Sequence, residues 1–273
     1  MTVKAIWLAA ALLSGTAQAA DTSCLCSVAL KEAYLELLPQ FEKESGHKVA
    51  TAWSGTTDMM KRLKAGEVFD MVLIAANSLE ELVDTGKIMA GSRVDIASSG
   101  VGVAVRSGAQ KPDISSAEAL KRALLAAKTI GISTGPSGVY LTELFARMGV
   151  LDELKPKFKV PPSGAPVGEL VAKGEAEIGF QQVSELVHVR GVDYVGPLPA
   201  EIQRITTFSA GIHPDAKEPE AAQAWMRFLS SAEAAPILRR HGLEPAGSSP
   251  PWSGKTIAGR APRSHSAGTN FQM

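Results

Sequence analysis

Thr129-Ile130-Gly131-Ile132-Ser133-Thr134-Gly135-Pro136-Ser137-Gly138-Val139-Tyr140 is the stretch that decides the fold of this 273-residue chain. Thr129–Ser133 is a short apolar run without polar alternation, as expected of a strand covered on both faces. Thr134-Gly135-Pro136 stops it, and a helical pattern follows over Tyr140–Arg147. The order strand, tight hydroxyl-rich turn, helix is the repeating unit of α/β proteins.

The unit recurs on both sides. Strands are expected at Lys48–Trp53, Asp70–Ala75, Val101–Arg106, Ala176–Gln181, Val192–Val195 and Ile205–Ile212, with a first one around Cys24-x-Cys26. Leu30–Glu44 places Leu30, Tyr34, Leu37 and Phe41 at helical spacing, with Pro39 expected to kink or break it. Ser115-x-x-Glu118 reads as a capping box opening a helix over Ser115–Lys128, and Ser230-x-x-Glu233 repeats the device. Gly149, Gly174 and Gly242 each follow a helical pattern, where a C-terminal cap belongs. Alternation of this kind implies mainly parallel sheets, and the chain is long enough for two lobes. In such sheets ligands bind at strand C-termini, beside helix N-termini.

The formal charge is zero, from 28 basic and 28 acidic residues, but four of the basic ones lie at the ends. Lys4 is the one charged residue of 1–19, and Lys255, Arg260 and Arg263 are the charged residues of 246–273. The body between them holds 24 basic against 28 acidic residues, a net of −4. That balance argues against a nucleic-acid partner, which would select a basic surface.

Residues 1–19 read as a secretory signal peptide: Lys4, the apolar run Ala5–Leu13, and the small-x-small site Ala17-Gln18-Ala19. The run falls short of the ~20 apolar residues a bilayer span needs. Asp21-Thr22-Ser23 before Cys24 is the wrong context for a lipid-modified cysteine. The expected product is an exported, periplasmic protein with no stable membrane insertion. Residues 247–273, rich in Gly, Ser and Pro, read as a flexible tail. Gly254-Lys255-Thr256 within it imitates a phosphate loop, but Ser249 stands where the loop needs glycine.

Catalytic signatures are sparse. The five histidines show neither zinc-helix spacing nor a cysteine cluster, so neither metal nor cofactor is expected. His241 reads as a cation at a helix C-terminus. Cys24 and Cys26 read as small buried residues, with a thiol nucleophile or a strained bridge as alternatives. A serine-hydrolase elbow is missing, and Gly100-Val101-Gly102 lacks the third glycine of a dinucleotide site. Glu169 and Glu185 read as solvated helix residues. The positive signal is a set of three turns that set hydroxyls and free N–H groups at helix starts. They are Ser27 before the helix near Leu30, Ser54-Gly55-Thr56-Thr57, and Ser133 to Tyr140. Together they suit an oxyanion or a carboxylate.

Further stretches carry a family pattern: Gly91-Ser92-Arg93-Val94-Asp95, Ser99 to Arg106, Pro136 to Tyr140, Gly174-Glu175-Ala176-Glu177-Ile178-Gly179-Phe180-Gln181-Gln182 and Phe208-Ser209-Ala210-Gly211-Ile212. Over about Asp21 to Pro245 the chain resembles the solute-binding proteins of bacterial ABC transporters. The resemblance is to the molybdate-binding-protein-like branch of the type II periplasmic binding fold. It implies an α/β fold of two lobes with mixed, mainly parallel sheets and a ligand cleft between them. Lobe 1 would be 21–100 plus 207–246 and lobe 2 would be 101–206, with crossovers near Gly100–Arg106 and Ile205–Ile212. It implies a small anion held by Ser27, Ser54 and Gly55 from lobe 1. Ser137, Gly138, Val139, Tyr140, Pro166, Val167, Gln181 and Gln182 would contribute from lobe 2. It also implies a transient permease partner and action as a monomer.

Two departures bear on the ligand. Val28 stands where relatives often carry glycine, which removes close backbone approach. Gln181-Gln182 stands where molybdate binders use tyrosine, and two amides suit a di- or tricarboxylate as well as a tetrahedral oxyanion. The same branch contains periplasmic aconitate isomerases, which share Ser137-Gly138-Val139-Tyr140-Leu141 and the segment from Gly174 through Gln182-x-Ser184-Glu185-Leu186. An isomerase would need a positioned acid/base, and Tyr140 and then Ser27 are the matched candidates. Nothing in the sequence demands turnover, so binding is the first reading and isomerisation the alternative.

Overall fold

The computed structural model describes residues 19–248. Most of the signal segment and of the tail, with Gly254-Lys255-Thr256, lies outside them. The strands are β1 (Asp21–Ser27), β2 (Lys48–Ser54), β3 (Met71–Ala75), β4 (Val94–Arg106) and β5 (Ile130–Ile132). They continue with β6 (Phe158–Lys159), β7 (Ile178–Gln182), β8 (Val192–Pro197), β9 (Ile205–Ile212) and β10 (Glu244–Pro245). They order as β2-β1-β3-β9-β4-β7-β5-β6, with β8 and β10 pairing onto β4.

The sheet is mixed. Its flanks are parallel, β2-β1-β3 on one side and β6-β5-β7 on the other. The middle is antiparallel, not mainly parallel as the alternation suggested. Here β9 pairs β3 and β4, and β4 pairs β7, β8 and β10. The cause is β4, a 13-residue strand where six residues were expected. Its first half, Val94–Gly100, pairs β9, and its second half, Val101–Val105, pairs β7. One strand therefore serves both flanks.

Strand alternation explains the apolar runs. In β1, Cys24 and Cys26 face a core of Tyr34, Phe41, Phe208 and Trp225, whereas Leu25 faces Met59, Leu63 and Leu79. In β3, Met71, Leu73 and Ala75 join the first core, and Val72 and Ile74 the second. Both faces are covered, so neither can be polar. Tyr34 packs edge-on against Trp53 and Trp225, with ring centroids 4.9 Å apart in both pairs. The far flank has its own core, in which Val101, Val103 and Val105 meet Leu120, Phe145 and Phe180.

Helix boundaries refine the sequence reading. The helix Lys31–Ser45 runs through Pro39. Pro39 lies on the exposed face, where water can replace the missing N–H bond. Both capping boxes shift by one residue. Ser116, not Ser115, accepts from Ala119 N at 3.1 Å. Ser231, not Ser230, accepts from Ala234 N at 3.3 Å. Gly149, Gly174 and Gly242 do end helices, with φ of 71°, 76° and 71°. Helix Pro136–Arg147 begins four residues before the expected Tyr140, because Pro136 is pre-set for the first helical position.

Asp70 ties three distant segments together. Its Oδ2 accepts from the N and Oγ of Ser23, both at 2.7 Å. Its Oδ1 accepts from Lys217 N at 2.6 Å and Glu218 N at 3.0 Å, before helix Pro219–Leu229. Burial alone would raise its pKa. The bonds from Glu218, Ser23 and Lys217 outweigh it and hold the carboxyl below the usual range. A lowered folded-state pKa means stability that is complete above about 4 and lost as pH falls through the folded value. Asp70→Asn should therefore cost about 2 kcal/mol at pH 7. In urea titrations the gap from wild type should narrow below pH ~4.

Candidate functional site

The three hydroxyl-bearing turns converge. Ser27 ends β1 and caps a short 3-10 turn, its Oγ accepting from Ala29 N at 3.4 Å. Gly55 follows β2 as the N-cap of helix Thr56–Lys64. Ser133 follows β5, and its Oγ lies 3.0 Å from that of Ser137 in the first turn of helix Pro136–Arg147. Unpaired N–H groups at such starts carry partial positive charge. Ser27, Gly55, Ser133, Ser137, Gln181, Gln182 and Glu185 all line one small pocket of about 30 Å³. That is room for about one or two waters.

The pocket is small because the two sides touch. A Cβ added to Gly55 would lie 2.4 Å from both Gly164 N and Ser163 Oγ. Gly164, at φ +80°, comes back against Gly55 N. Thr57 Oγ1 donates to Thr134 O at 3.0 Å across the same gap. The turns at Gly55 and Gly164 are thus in direct contact beside the pocket. Next to the pocket, sharing Thr56, Gly135 and Pro136, lies a cavity of about 460 Å³. It is lined among others by Val139, Tyr140, Arg204, Thr206 and Thr207. The Arg204 guanidinium stands 5.7 Å from the Tyr140 ring centre.

Not every sequence-predicted residue has a free polar group. The Tyr140 hydroxyl donates to Ile202 O at 2.6 Å, so the ring, not the hydroxyl, meets the cavity. Gln182 stitches the centre of the sheet. Its amide nitrogen donates to Ser99 O at 2.9 Å and Gly100 O at 3.2 Å, and its oxygen accepts from Thr206 Oγ1. Gly138 is buried, and Val139 is 57% exposed beside the larger cavity. Ser54 closes β2 and Pro166 precedes helix Val167–Ala172, and neither lines the pocket or the cavity. Val167 contributes its backbone: its N–H donates to Gln181 Oε1 at 2.7 Å. That helix lies close on the sheet because β7 offers glycine beneath it. A Cβ on Gly179 would meet Val171 Cγ2 at 2.4 Å.

Glu185 overturns its reading as a solvated helix residue. Glu169 fits that description, paired with Lys173 at 3.4 Å on the surface. Glu185 instead faces the pocket, where Gln181 Nε2 donates to its Oε1 at 2.6 Å. Burial pushes its pKa up to about 7, against the opposing hydrogen bonds from Gln181 and the Gln182 backbone. Spacing hid this, because Glu185 sits in a four-residue helix whose buried side depends on β4 and β7. The Ser163-Gly164 turn and Arg204 also escaped the sequence reading. A hydroxyl-glycine turn before helix Val167–Ala172 was the available signal for the first.

The cysteines are fully buried and unpaired, and burial drives the Cys26 thiol well above its usual pKa, the wrong direction for a nucleophile. Among the described residues, no group of three or more His, Cys, Asp or Glu is placed to hold a metal ion, and no helix is long and apolar enough to cross a membrane.

With fold and pocket defined, comparison with known proteins places the chain. Residues 23–244 match the family model described as bacterial extracellular solute-binding protein, and the chain belongs to that family. It is 37% identical over 256 residues to an aconitate isomerase from a Pseudomonas species, covering 92% of this chain and 97% of the relative. It is 29% identical to a molybdate-binding protein ModA of Azotobacter vinelandii, over 86% of this chain and 94% of that one. The solved Azotobacter vinelandii periplasmic molybdate-binding protein shares the fold, with a TM-score of 0.69 at 20% identity, over 81% of this chain and 98% of that one.

Two measurements test this geometry. Gly55→Ala should hold the Gly55 and Gly164 turns apart, seen as a larger radius of gyration by small-angle scattering, and weaken anion binding about tenfold by calorimetry. Glu185→Gln should be more stable than wild type at pH 8 and no more stable at pH 4. A carboxyl raised to about 7 destabilises the fold increasingly as pH rises from its unfolded value through 7. Urea midpoints at both pH values check the sign.

Proposed function

We propose that this chain is an exported solute-binding protein that closes two lobes, residues 21–100 plus 207–246 and residues 101–206, around a small polycarboxylate. The observation that carries this reading is the pair of adjoining spaces. The inner one offers hydroxyls and helix starts around Ser27, Ser133 and Ser137, and the outer one carries Arg204. A ligand with two or three carboxylates can place one in each space, with Arg204 as the cationic partner of the outer one. A tetrahedral oxyanion would use the inner space alone and would leave Arg204 in the outer one without a partner. Contacts from both lobes favour the closed state, and the bound form would dock transiently on a membrane permease from the periplasm.

A second reading is favoured by the 37% identity, across 97% of its length, to an aconitate isomerase. On it, the same cleft binds the tricarboxylate and shifts a proton within it.

A thermal-shift panel of molybdate, tungstate, sulfate, citrate, cis-aconitate and trans-aconitate tests the ligand class. The tricarboxylates should raise the melting temperature by several degrees, and Arg204→Ala should remove most of that shift. A response to molybdate with none to any tricarboxylate would overturn the assignment.

A further inference from the structure

The pocket holds one ionisable side chain that binding alone does not need. Neutral hydroxyls and backbone N–H groups suffice to hold an anion, and a carboxyl beside them works against it. Glu185 is nonetheless locked in place. Gln181 Nε2 donates to its Oε1 at 2.6 Å, and Gln181 Oε1 is fixed in turn by Val167 N–H at 2.7 Å. This chain of two bonds leaves Gln181 no freedom to turn its amide around. It keeps a donor on one oxygen of Glu185 and directs the carboxyl to a wall shared with Ser27, Ser133 and Ser137.

We propose that Glu185 is the catalytic acid/base for a 1,3-proton shift within an allylic polycarboxylate bound across this pocket and the adjoining cavity, and that Gln181 is its positioning residue. The proposal rests on the isomerase reading above and gives it a chemical step. The ionised carboxyl removes a proton from the methylene carbon next to the double bond. The C–H electron pair passes into the double bond and the conjugated carboxylate as a dienolate. The O–H formed on Glu185 then returns the proton to the carbon at the far end of the allylic unit. The double bond has moved, Glu185 is ionised again, and no other reactant is consumed. The growing negative charge faces the unpaired N–H groups at the start of helix Pro136–Arg147 and the hydroxyls of Ser133 and Ser137.

The acidity of Glu185 suits the task. A base that must take and return the same proton works best with a pKa near the working pH. Burial brings Glu185 to about 7, and the groups acting on it are Gln181 and the backbone of Gln182, with no charged neighbour contributing. Among the described residues no histidine lines the pocket: His188 bonds to His241, and His241 to Glu36. Of the sequence-level candidates, the Tyr140 hydroxyl is committed to Ile202 O, and the Ser27 hydroxyl, which accepts from Ala29 N, keeps its proton to donate to the ligand.

The test is to incubate full-length protein with cis-aconitate in D2O and follow trans-aconitate and carbon-bound deuterium by NMR. Wild type should form trans-aconitate, with deuterium entering carbon only to the extent that the Glu185 O–H exchanges with solvent before the return, and with kcat/KM falling below an inflection near pH 7. Glu185→Gln should lose at least 100-fold in rate while keeping the tricarboxylate thermal shift, which also reports that it is folded. Gln181→Leu removes a donor to the charged carboxyl. It should keep measurable turnover and move the inflection to higher pH, a change that a merely structural role would not produce. Glu185→Gln forming trans-aconitate within threefold of the wild-type rate would overturn the proposal, as would wild type that binds cis-aconitate without forming the trans isomer. Absence of any tricarboxylate shift would instead remove the binding assignment beneath it.

Discussion

The structure depends on the antiparallel pairing of β4 with β9. Of the two, β4 serves both flanks of the sheet, and β9 joins its first half to β3. Their meeting point is held by side chains as well as by the ladder. Gln203 accepts from Val101 N at 2.8 Å and donates to Val101 O at 3.0 Å, and so acts as one more rung. Ser99 Oγ donates to Gly242 O at 3.1 Å and accepts from Ser184 N at 3.3 Å. Gln182 adds its bonds to Ser99, Gly100 and Thr206. A buried polar network is secure only when its members are satisfied, and these bonds satisfy the crossing backbone from both sides. The pocket lies against this junction, so its wall at Gln181, Gln182 and Glu185 is set by the most constrained part of the fold.

That placement resolves an electrostatic difficulty. The body between the chain ends carries a net charge of −4, so it cannot draw an anion by overall charge. The attraction has to be local, and the inner pocket supplies it with helix starts and hydroxyls, the outer cavity with Arg204. The burial that strengthens those donors also raises the pKa of Glu185. One space thus gathers helix starts, hydroxyls and a carboxyl whose pKa burial has raised.

Much of the architecture was legible because it is written locally. The apolar run at Met71–Ala75 reads as a strand covered on both faces, and all five of its residues are buried. The hydroxyl-rich turns after β1, β2 and β5 announced anion-friendly helix starts. Misreadings occurred where a choice depended on distant packing. Ser115 and Ser116 offer equal hydroxyls, and Asp113 claims the Ser115 N–H, which leaves Ser116 to cap the helix. The length of β4 was invisible, because its first half is specified by β9, more than 100 residues away in sequence. Gln181 and Gln182 were legible as cleft residues but not as residues whose amides are already committed.

What the sequence by itself determined is which segments become strands and helices, and that hydroxyls and N–H groups gather where strands end. Periodicity and turn chemistry act over a few residues, so a linear reading captures them. Only the tertiary structure decided that Gly55 touches Gly164, that Tyr140 presents its ring in place of its hydroxyl, and that Glu185 faces a pocket. Each depends on desolvation or contact between residues brought together from distant parts of the chain. The acidity of a carboxyl is a property of what surrounds it, and the surroundings of Glu185 exist only once β4 and β7 have paired.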